Sequence, residues 1–337
     1  MIHQAELSVD PLWQKELKTG FSRASELLAY LQLDPANCYN EEDEAARNLF
    51  AMRVPKPFVD LMNKGDRFDP LLMQVLPVSQ EFHSVEGFVA DPLLEQNNDV
   101  AGLLHKYKSR VLLIFKGGCA VNCRYCFRRH FPYQDNQVNK QQLKQHLQYI
   151  AQHPEINEVI LSGGDPLMAK DEIIRWFVDE LEQIVHVTRL RIHTRLPVVI
   201  PSRVTDELLS TLRSSRLKPI VVLHINHANE VGEQLKSAAR KMRTHGITLL
   251  NQAVLLKGIN DDIGAQVDLS EALFSADILP YYLHLFDKVD GAAHFYIDDN
   301  DAKHLYRQIL TELPGFLVPK LVREIGGETS KTPVLPY

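Results

Sequence analysis

Cysteine is scarce in this chain: four residues in 337, too few for a disulfide scaffold at this length. Long apolar runs are missing as well. The best candidates, such as residues 111–115, fall far short of the roughly 18–20 residues that a bilayer-spanning helix needs, so no membrane segment is expected. Neither sign of charge dominates. The 37 basic and 43 acidic residues give a net charge of −6, which excludes a basic surface over the whole molecule and, with it, general nucleic-acid binding. The opening stretch Met1-Ile2-His3-Gln4-Ala5-Glu6-Leu7 has no basic segment followed by an apolar one, so no secretory leader is expected and the cytoplasm is the expected location. Internal repeats and low-complexity tracts are absent too. What remains is a globular chain, 45% hydrophobic and long enough for one large domain or two ordinary ones.

Residues 1–100 carry helical spacing and acidic first turns at 22–31 and 41–50, and the spacing predicts a helical N-terminal region. Pro55, Pro57, Pro70, Pro77 and Pro92 break it into short helices. From Val111 onward the pattern changes. Apolar runs at 111–115, 158–161, 190–193, 220–224, 248–255 and 279–285 alternate with helical patterns at 140–152, 171–184, 203–213, 229–244, 265–276 and 301–312. These are six βα units, which imply a parallel sheet buried on both faces with right-handed crossovers. An open doubly wound sheet and a partial barrel both fit. Either places its ligands at the carboxyl ends of the strands.

Three of the four cysteines fall together. Cys119, Cys123 and Cys126 follow the first strand through Lys116-Gly117-Gly118, which puts them at the ligand-binding face. Three thiolates in this spacing can hold three irons of a [4Fe–4S] cluster and leave the fourth iron open. A zinc site of three cysteines and His130, or three unrelated thiols, are the alternatives. Cys38 stands apart as an ordinary thiol.

The spacing CxxxCxxC after the first strand of a βα series resembles the radical S-adenosylmethionine superfamily, and the second strand agrees: it ends Ser162-Gly163-Gly164-Asp165-Pro166, similar to that superfamily's glycine-rich motif for the methionine amino group. Longer runs narrow the resemblance. Cys126-Phe127-Arg128-Arg129-His130, His193-Thr194-Arg195-Leu196-Pro197, His224-Ile225-Asn226-His227, Asn251-Gln252-Ala253-Val254 and Pro280-Tyr281-Tyr282 all resemble the lysine 2,3-aminomutase family, from about residue 60 to the C-terminus. The resemblance implies an α/β fold: a partial (β/α)6 barrel of the radical S-adenosylmethionine type at 101–315, with the helical region at 1–100 and a short C-terminal extension at 316–337. It also implies an isomerase that moves the amino group of L-lysine from C2 to C3. Among bacterial members the chain is most similar to those that supply β-lysine for modifying elongation factor P.

The cofactors so implied are a [4Fe–4S] cluster, S-adenosyl-L-methionine and pyridoxal 5′-phosphate. Gly326-Gly327-Glu328-Thr329-Ser330-Lys331 resembles the family's pyridoxal segment with fewer glycines, so Lys331 is carried over as the cofactor-bearing catalytic lysine. By composition alone it is one more exposed lysine. Lys106, Tyr107 and Arg110 fall where the family contacts the cofactor phosphate; Ser162, Gly163, Gly164, Asp165 and Gln252 match its S-adenosylmethionine contacts. Arg128 takes the position of the substrate α-carboxylate, for which a bidentate guanidinium is suited. Asp287 and Glu324 fall where the family has carboxylates for the far ammonium of lysine, a charge that is costly to bury unpaired. Glu324 replaces an aspartate. The zinc site of longer relatives uses C-terminal cysteines, and no cysteine follows Cys126. The resemblance further implies a low-potential electron donor such as flavodoxin or ferredoxin, and a functional link to elongation factor P and its lysyl ligase. A radical aminomutase acting on another amino acid or a protein-bound lysine, or a non-radical zinc protein, are the other readings.

Overall fold

The computed structural model describes residues 11–95, 100–132 and 139–337; the expectation about the first seven residues lies outside them, as does the side chain of Cys38. Five short helices open the chain: α1 (Leu12–Lys18), α2 (Ala24–Tyr30), α3 (Pro35–Cys38), α4 (Glu41–Ala46) and α5 (Lys56–Val59). Local chemistry sets their ends. The Asn40 side chain accepts from the Asp43 N–H while Asp43 accepts from the Asn40 N–H, a reciprocal cap reinforced by four acidic residues in the first turn of α4. Prolines stand at the starts of α1 (Pro11), α3 (Pro35) and α5 (Pro55 and Pro57), while α2 and α4 are short without a proline at either end.

Nine strands follow in one sheet whose spatial order is the chain order. β1 (Leu103–Tyr107) pairs antiparallel with β2 (Arg110–Lys116); β3 (Glu158–Gly163), β4 (Arg189–Thr194), β5 (Lys218–His224), β6 (Thr248–Val254), β7 (Leu279–His284) and β8 (Lys320–Arg323) continue it in parallel, and β9 (Thr332–Pro333) closes it antiparallel. β1 and β9 are not paired with each other. The sheet is therefore an open, partial barrel, and its six expected βα units are all present. Their helices are α6 (Lys140–Gln152), α7 (Asp171–Leu181), α9 (Asp206–Ser214), α10 (Glu233–Thr244), α11 (Ile263–Ser275) and α12 (Asp299–Glu312), with a single turn, α8 (Leu196–Val199), after β4. Among the described residues no helix is long and apolar enough to cross a membrane.

Strands β1, β8 and β9 are additions to the sequence prediction. Each carries few apolar residues, so none gives a continuous run; pairing with a longer neighbour makes them strands. A second difference concerns the faces. Continuous apolar strands were expected, yet β4 alternates between buried and half-buried residues. Leu190 and Ile192 join the core under the helices, as do Val221, Leu223, Leu249, Ala253 and Leu283 of later strands. The opposite face carries Arg191, His193, His224, Gln252, Tyr282 and His284 into a cavity inside the barrel. A closed core would reject these groups; a ligand-holding interior requires them. The N-terminal helices share the continuous apolar core through Trp13, Leu27, Leu28 and Phe58.

Candidate active site

The three clustered thiols stand on the loop after β2, and the cavity reaches all of them. Backbone hydrogen bonds fix that loop from two sides. The Gly164 N–H donates to the Lys116 carbonyl at 2.7 Å and the Asp165 N–H to that of Gly118 at 2.9 Å. A Cβ on Gly163 would sit 2.6 Å from the Lys116 oxygen, and one on Gly164 would sit 2.6 Å from that of Gly118; neither position admits a side chain. Gly163 also has φ of +117°, which disfavours other residues. Here the glycines bring backbone close to the cysteine loop, beside whatever ligand they meet. From the N-terminal region, Asn122 N–H donates to the Arg53 carbonyl at 3.0 Å and Arg124 N–H to that of Gln74 at 2.9 Å. Arg124 and Arg129, on either side of Cys126, both pair with the wholly buried Glu81.

Burial pushes the Cys119 thiol well up, with the Asp165 carboxylate and the other thiols adding to it, and pushes Cys126 up to about 11 with help from Cys123. Ligation to iron, which takes the thiolate, reverses that preference. His130 of the zinc alternative is exposed and its Nε2 donates to the Asp290 carbonyl at 3.0 Å. Among the described residues, no three His, Cys, Asp or Glu side chains are placed to hold a metal ion. His130 turned to a backbone carbonyl is not presented as a fourth zinc ligand, whereas three thiols at one cavity are the number that a [4Fe–4S] cluster with one open iron takes.

At the mouth of β3, the Asp165 carboxylate accepts from Leu167 N–H at 3.0 Å, Arg195 N–H at 2.8 Å, Leu196 N–H at 2.9 Å and the Thr194 hydroxyl at 2.7 Å. Burial raises its pKa and these donors oppose the rise. It thereby ties the end of β3 to the end of β4. Ser162, Gly163, Gly164 and Gln252 line the same cavity.

Lys331, just before β9, also faces it. Its ammonium pairs with Glu324. Glu324 in turn accepts from Lys106 Nζ and from the Tyr107 hydroxyl, each at 3.1 Å, and Arg110 stacks 3.9 Å from the Tyr107 ring. Lys331 and then Lys106 overcome the cost of burying Glu324 and bring its pKa down to about 2. These contacts join β1 to the segment after β8 across the open edge of the sheet, because strand stagger sets the start of β2 level with the end of β8. The cavity runs along β2, about 20 Å at strand rise, with Arg110 at one end and Cys119 past the other.

Arg128 forms a fork with Glu95, Nε to Oε2 at 2.6 Å and Nη2 to Oε1 at 3.0 Å, and Nη1 donates to the Gly163 carbonyl at 3.0 Å. Asp287 follows β7; burial and the nearby Glu324 carboxylate push it up to about 7. Two neutral imidazoles complete the wall. His193 and His284 are pushed far down by burial first, then by nearby cations, and their Nε2 atoms are buried without a hydrogen-bond partner. Orphaned polar atoms facing a cavity call for a polar ligand.

Apart from His130 of the zinc alternative, all the residues singled out from sequence as site candidates therefore line one cavity. Sequence reasoning assigned no role to Glu95, Arg195, His193, His284 or Tyr282, although they line it too. Polar residues at every second place in apolar strands were the available signal for the histidines and Tyr282. Arg195 stood within a family-like motif that gave it no role, and Glu95 had no signal.

A sequence profile described as the radical SAM superfamily matches residues 113–265. The chain is 53% identical over 322 residues to the L-lysine 2,3-aminomutase of Escherichia coli K12, covering 96% of this chain and 94% of that protein. It is 53% identical over 321 residues to that of Haemophilus influenzae, covering 95% and 94%. The L-lysine 2,3-aminomutase of Clostridium subterminale is 31% identical over 329 residues, covering 96% of this chain and 78% of that protein. By this profile and these near full-length identities, the chain belongs to the radical S-adenosylmethionine superfamily and, within it, to the lysine 2,3-aminomutase family.

Proposed function

We propose that this protein converts L-lysine to β-lysine by moving the amino group from C2 to C3. The observation that carries the reading is that the three-thiol loop and Lys331 face one cavity in a chain 53% identical, nearly end to end, to named L-lysine 2,3-aminomutases. Cys119, Cys123 and Cys126 would hold the [4Fe–4S] cluster; Ser162 to Asp165 and Gln252 would meet S-adenosylmethionine. Lys331 would carry pyridoxal phosphate, with Lys106, Tyr107 and Arg110 at its phosphate. When bound, these groups supply hydrogen-atom abstraction and an electrophilic carbonyl that can carry a migrating amino group. The chain's own share is placement. Arg128 would take the α-carboxylate, Asp287 and Glu324 the far ammonium, and the barrel wall excludes water and other quenchers. Functionally, the described part of 1–100 would clamp the cysteine loop, the described part of 101–315 would form most of the reaction chamber and 316–337 would bring the lysine. A cytoplasmic location, an electron donor of the flavodoxin or ferredoxin kind, and delivery of β-lysine to elongation factor P through its ligase complete the proposal on resemblance alone.

The test is anaerobic purification with iron, sulfide and zinc analysis, then assay of L-lysine against other amino acids and lysine-containing protein. β-Lysine formed with iron and sulfide present supports the proposal. Turnover confined to another amino acid or to protein-bound lysine reassigns the substrate, and zinc without iron ends the radical reading.

Two side chains make further predictions. Arg128 can hold one carboxylate in its fork, and Glu95 occupies it here. Glu95→Gln should lower the KM for lysine roughly three- to tenfold with kcat little changed, since the competent fork becomes more populated; a raised KM would mean that Glu95 assists binding. Asp287, titrating near 7, is partly protonated at neutral pH, and an arriving ammonium favours its charged form. Lysine binding to the cofactor-loaded enzyme, with the cluster kept oxidised, should therefore release up to one proton near pH 7. Calorimetry in buffers of different ionisation enthalpy reads this directly. Asp287→Asn should remove the release; its persistence would place the proton elsewhere.

A further inference from the structure

Arg195 directly follows β4, and its guanidinium reaches the cysteine loop. Nη1 donates to Sγ of Cys123 at 2.7 Å and to the Tyr125 hydroxyl. Nη2 donates to Gln74 Oε1 at 2.7 Å and to Glu230 Oε2 at 2.9 Å. The surrounding groups leave it one pose. Asn226 Nδ2 donates to the Tyr125 hydroxyl at 2.7 Å and to Gln74 Oε1 at 3.0 Å, and the Asn226 N–H donates to Glu230 Oε1 at 2.9 Å. The Arg195 side chain is 7% exposed and that of Glu230 0%. A buried cation costs free energy unless it is paired. Yet this ion pair lies lengthwise, with the cationic end at a thiol and the anionic end away from it on the loop after β5. Cluster potentials respond to net charge and to hydrogen bonds on the ligating sulfurs. A donor cation on a ligand sulfur stabilises the form that holds one more electron, because that form is the more negative.

We infer that Arg195 is a positioning residue for electron entry: through Sγ of Cys123 it raises the reduction potential of the cluster, and Glu230 limits the rise. The inference rests on the reading that Cys119, Cys123 and Cys126 hold a [4Fe–4S] cluster. The step involves one electron, taken from an external one-electron reductant; no bond to Arg195 forms or breaks, and the guanidinium keeps its protons throughout. Arginine suits the task because its planar fork can meet sulfur, amide and carboxylate together, which a compact ammonium cannot.

The experiment compares reconstituted wild type, R195K and E230Q under anaerobic conditions. Iron and sulfide are quantified, and each protein is titrated with redox mediators while the electron paramagnetic resonance signal of the reduced cluster is followed. R195K keeps a cation near Glu230 but gives up the bond to sulfur; its reduction should become at least tenfold less favourable, equivalent to about 59 mV for a one-electron couple. E230Q keeps that bond and removes the counter-charge, so its potential should rise. Shifts of opposite sign support the inference, whereas damage to packing gives no reason for opposite signs. If R195K retains no cluster, E230Q alone decides. Loaded variants whose potentials do not move, or both fall, overturn it. Absence of iron and sulfide in the wild type would instead remove the cluster reading beneath it.

Discussion

Lys331→Ala should abolish isomerisation of L-lysine, a loss of at least about a thousandfold, or roughly 4 kcal/mol of barrier, while leaving the iron and sulfide content unchanged. The reason is geometric. Lys331 sits in the cavity and pairs with Glu324 at the end opposite the thiols; a primary amine so placed could bond covalently to an aldehyde cofactor, and since Lys106 shares the cavity and the carboxylate, it is the motif around Lys331 that selects between them. Two readouts separate its roles. Borohydride treatment followed by peptide mass analysis should find pyridoxal phosphate attached to Lys331 in the wild type and nothing attached in the variant. Loss of turnover without loss of cluster would then locate the defect at the lysine. Undiminished isomerisation by Lys331→Ala would take pyridoxal phosphate out of the reaction altogether.

Glu324 carries the second large effect, and it depends on pH. Its carboxylate holds Lys331, Lys106 and the Tyr107 hydroxyl at once, with 14% of the side chain exposed, and its pKa falls from 4.5 to about 2 on folding. A depressed carboxylate pKa stabilises the fold above the unfolded value, and that stabilisation is lost as pH falls from about 4.5 toward 2. Such a shift corresponds to about 3 kcal/mol, reduced to about 2 kcal/mol for the partial exposure of the group and its partners. Glu324→Gln, in protein free of pyridoxal phosphate, should therefore be less stable than wild type by that amount at pH 7 in urea unfolding, and the gap should narrow below pH 4.5. A gap independent of pH would show that the charge does not matter there. Attachment of the cofactor at Lys331 should also narrow the gap, because it changes the cation that Glu324 holds most closely.

Glu324 also marks where sequence reading stops. Its motif position suggested a carboxylate for the substrate, whereas the fold gives it Lys331, Lys106 and Tyr107 as partners. The Glu324 side chain reaches Lys106 and Tyr107 across the open edge of the sheet. Arg128 is a similar case: the motif position implied a carboxylate partner, and Glu95 holds the fork. In both cases the sequence identifies the residue and its charge, while Lys106 and Tyr107 for Glu324, and Glu95 for Arg128, come from segments distant in the chain. Asp165 differs again, because its motif suggested a cofactor contact and its carboxylate is filled by Leu167, Thr194, Arg195 and Leu196.

By itself the sequence determined everything that depends on neighbours along the chain. Periodicity set the βα units, because strand and helix repeats differ. The spacing of Cys119, Cys123 and Cys126 placed a thiol loop at the end of what is now β2 and left iron–sulfur, zinc or no metal open, and Gly163 and Gly164 marked a backbone approach that no side chain permits. The tertiary structure decided what needs closure. The short strands β1, β8 and β9 exist only through pairing with longer ones, and the polar barrel face became a chamber only when the sheet curved. Arg195 met Cys123, and Lys106 met Glu324, only because barrel stagger and the N-terminal helices brought distant segments together. A sequence carries local preference at every residue, but which buried charge faces which is set by the packing that excludes water from both.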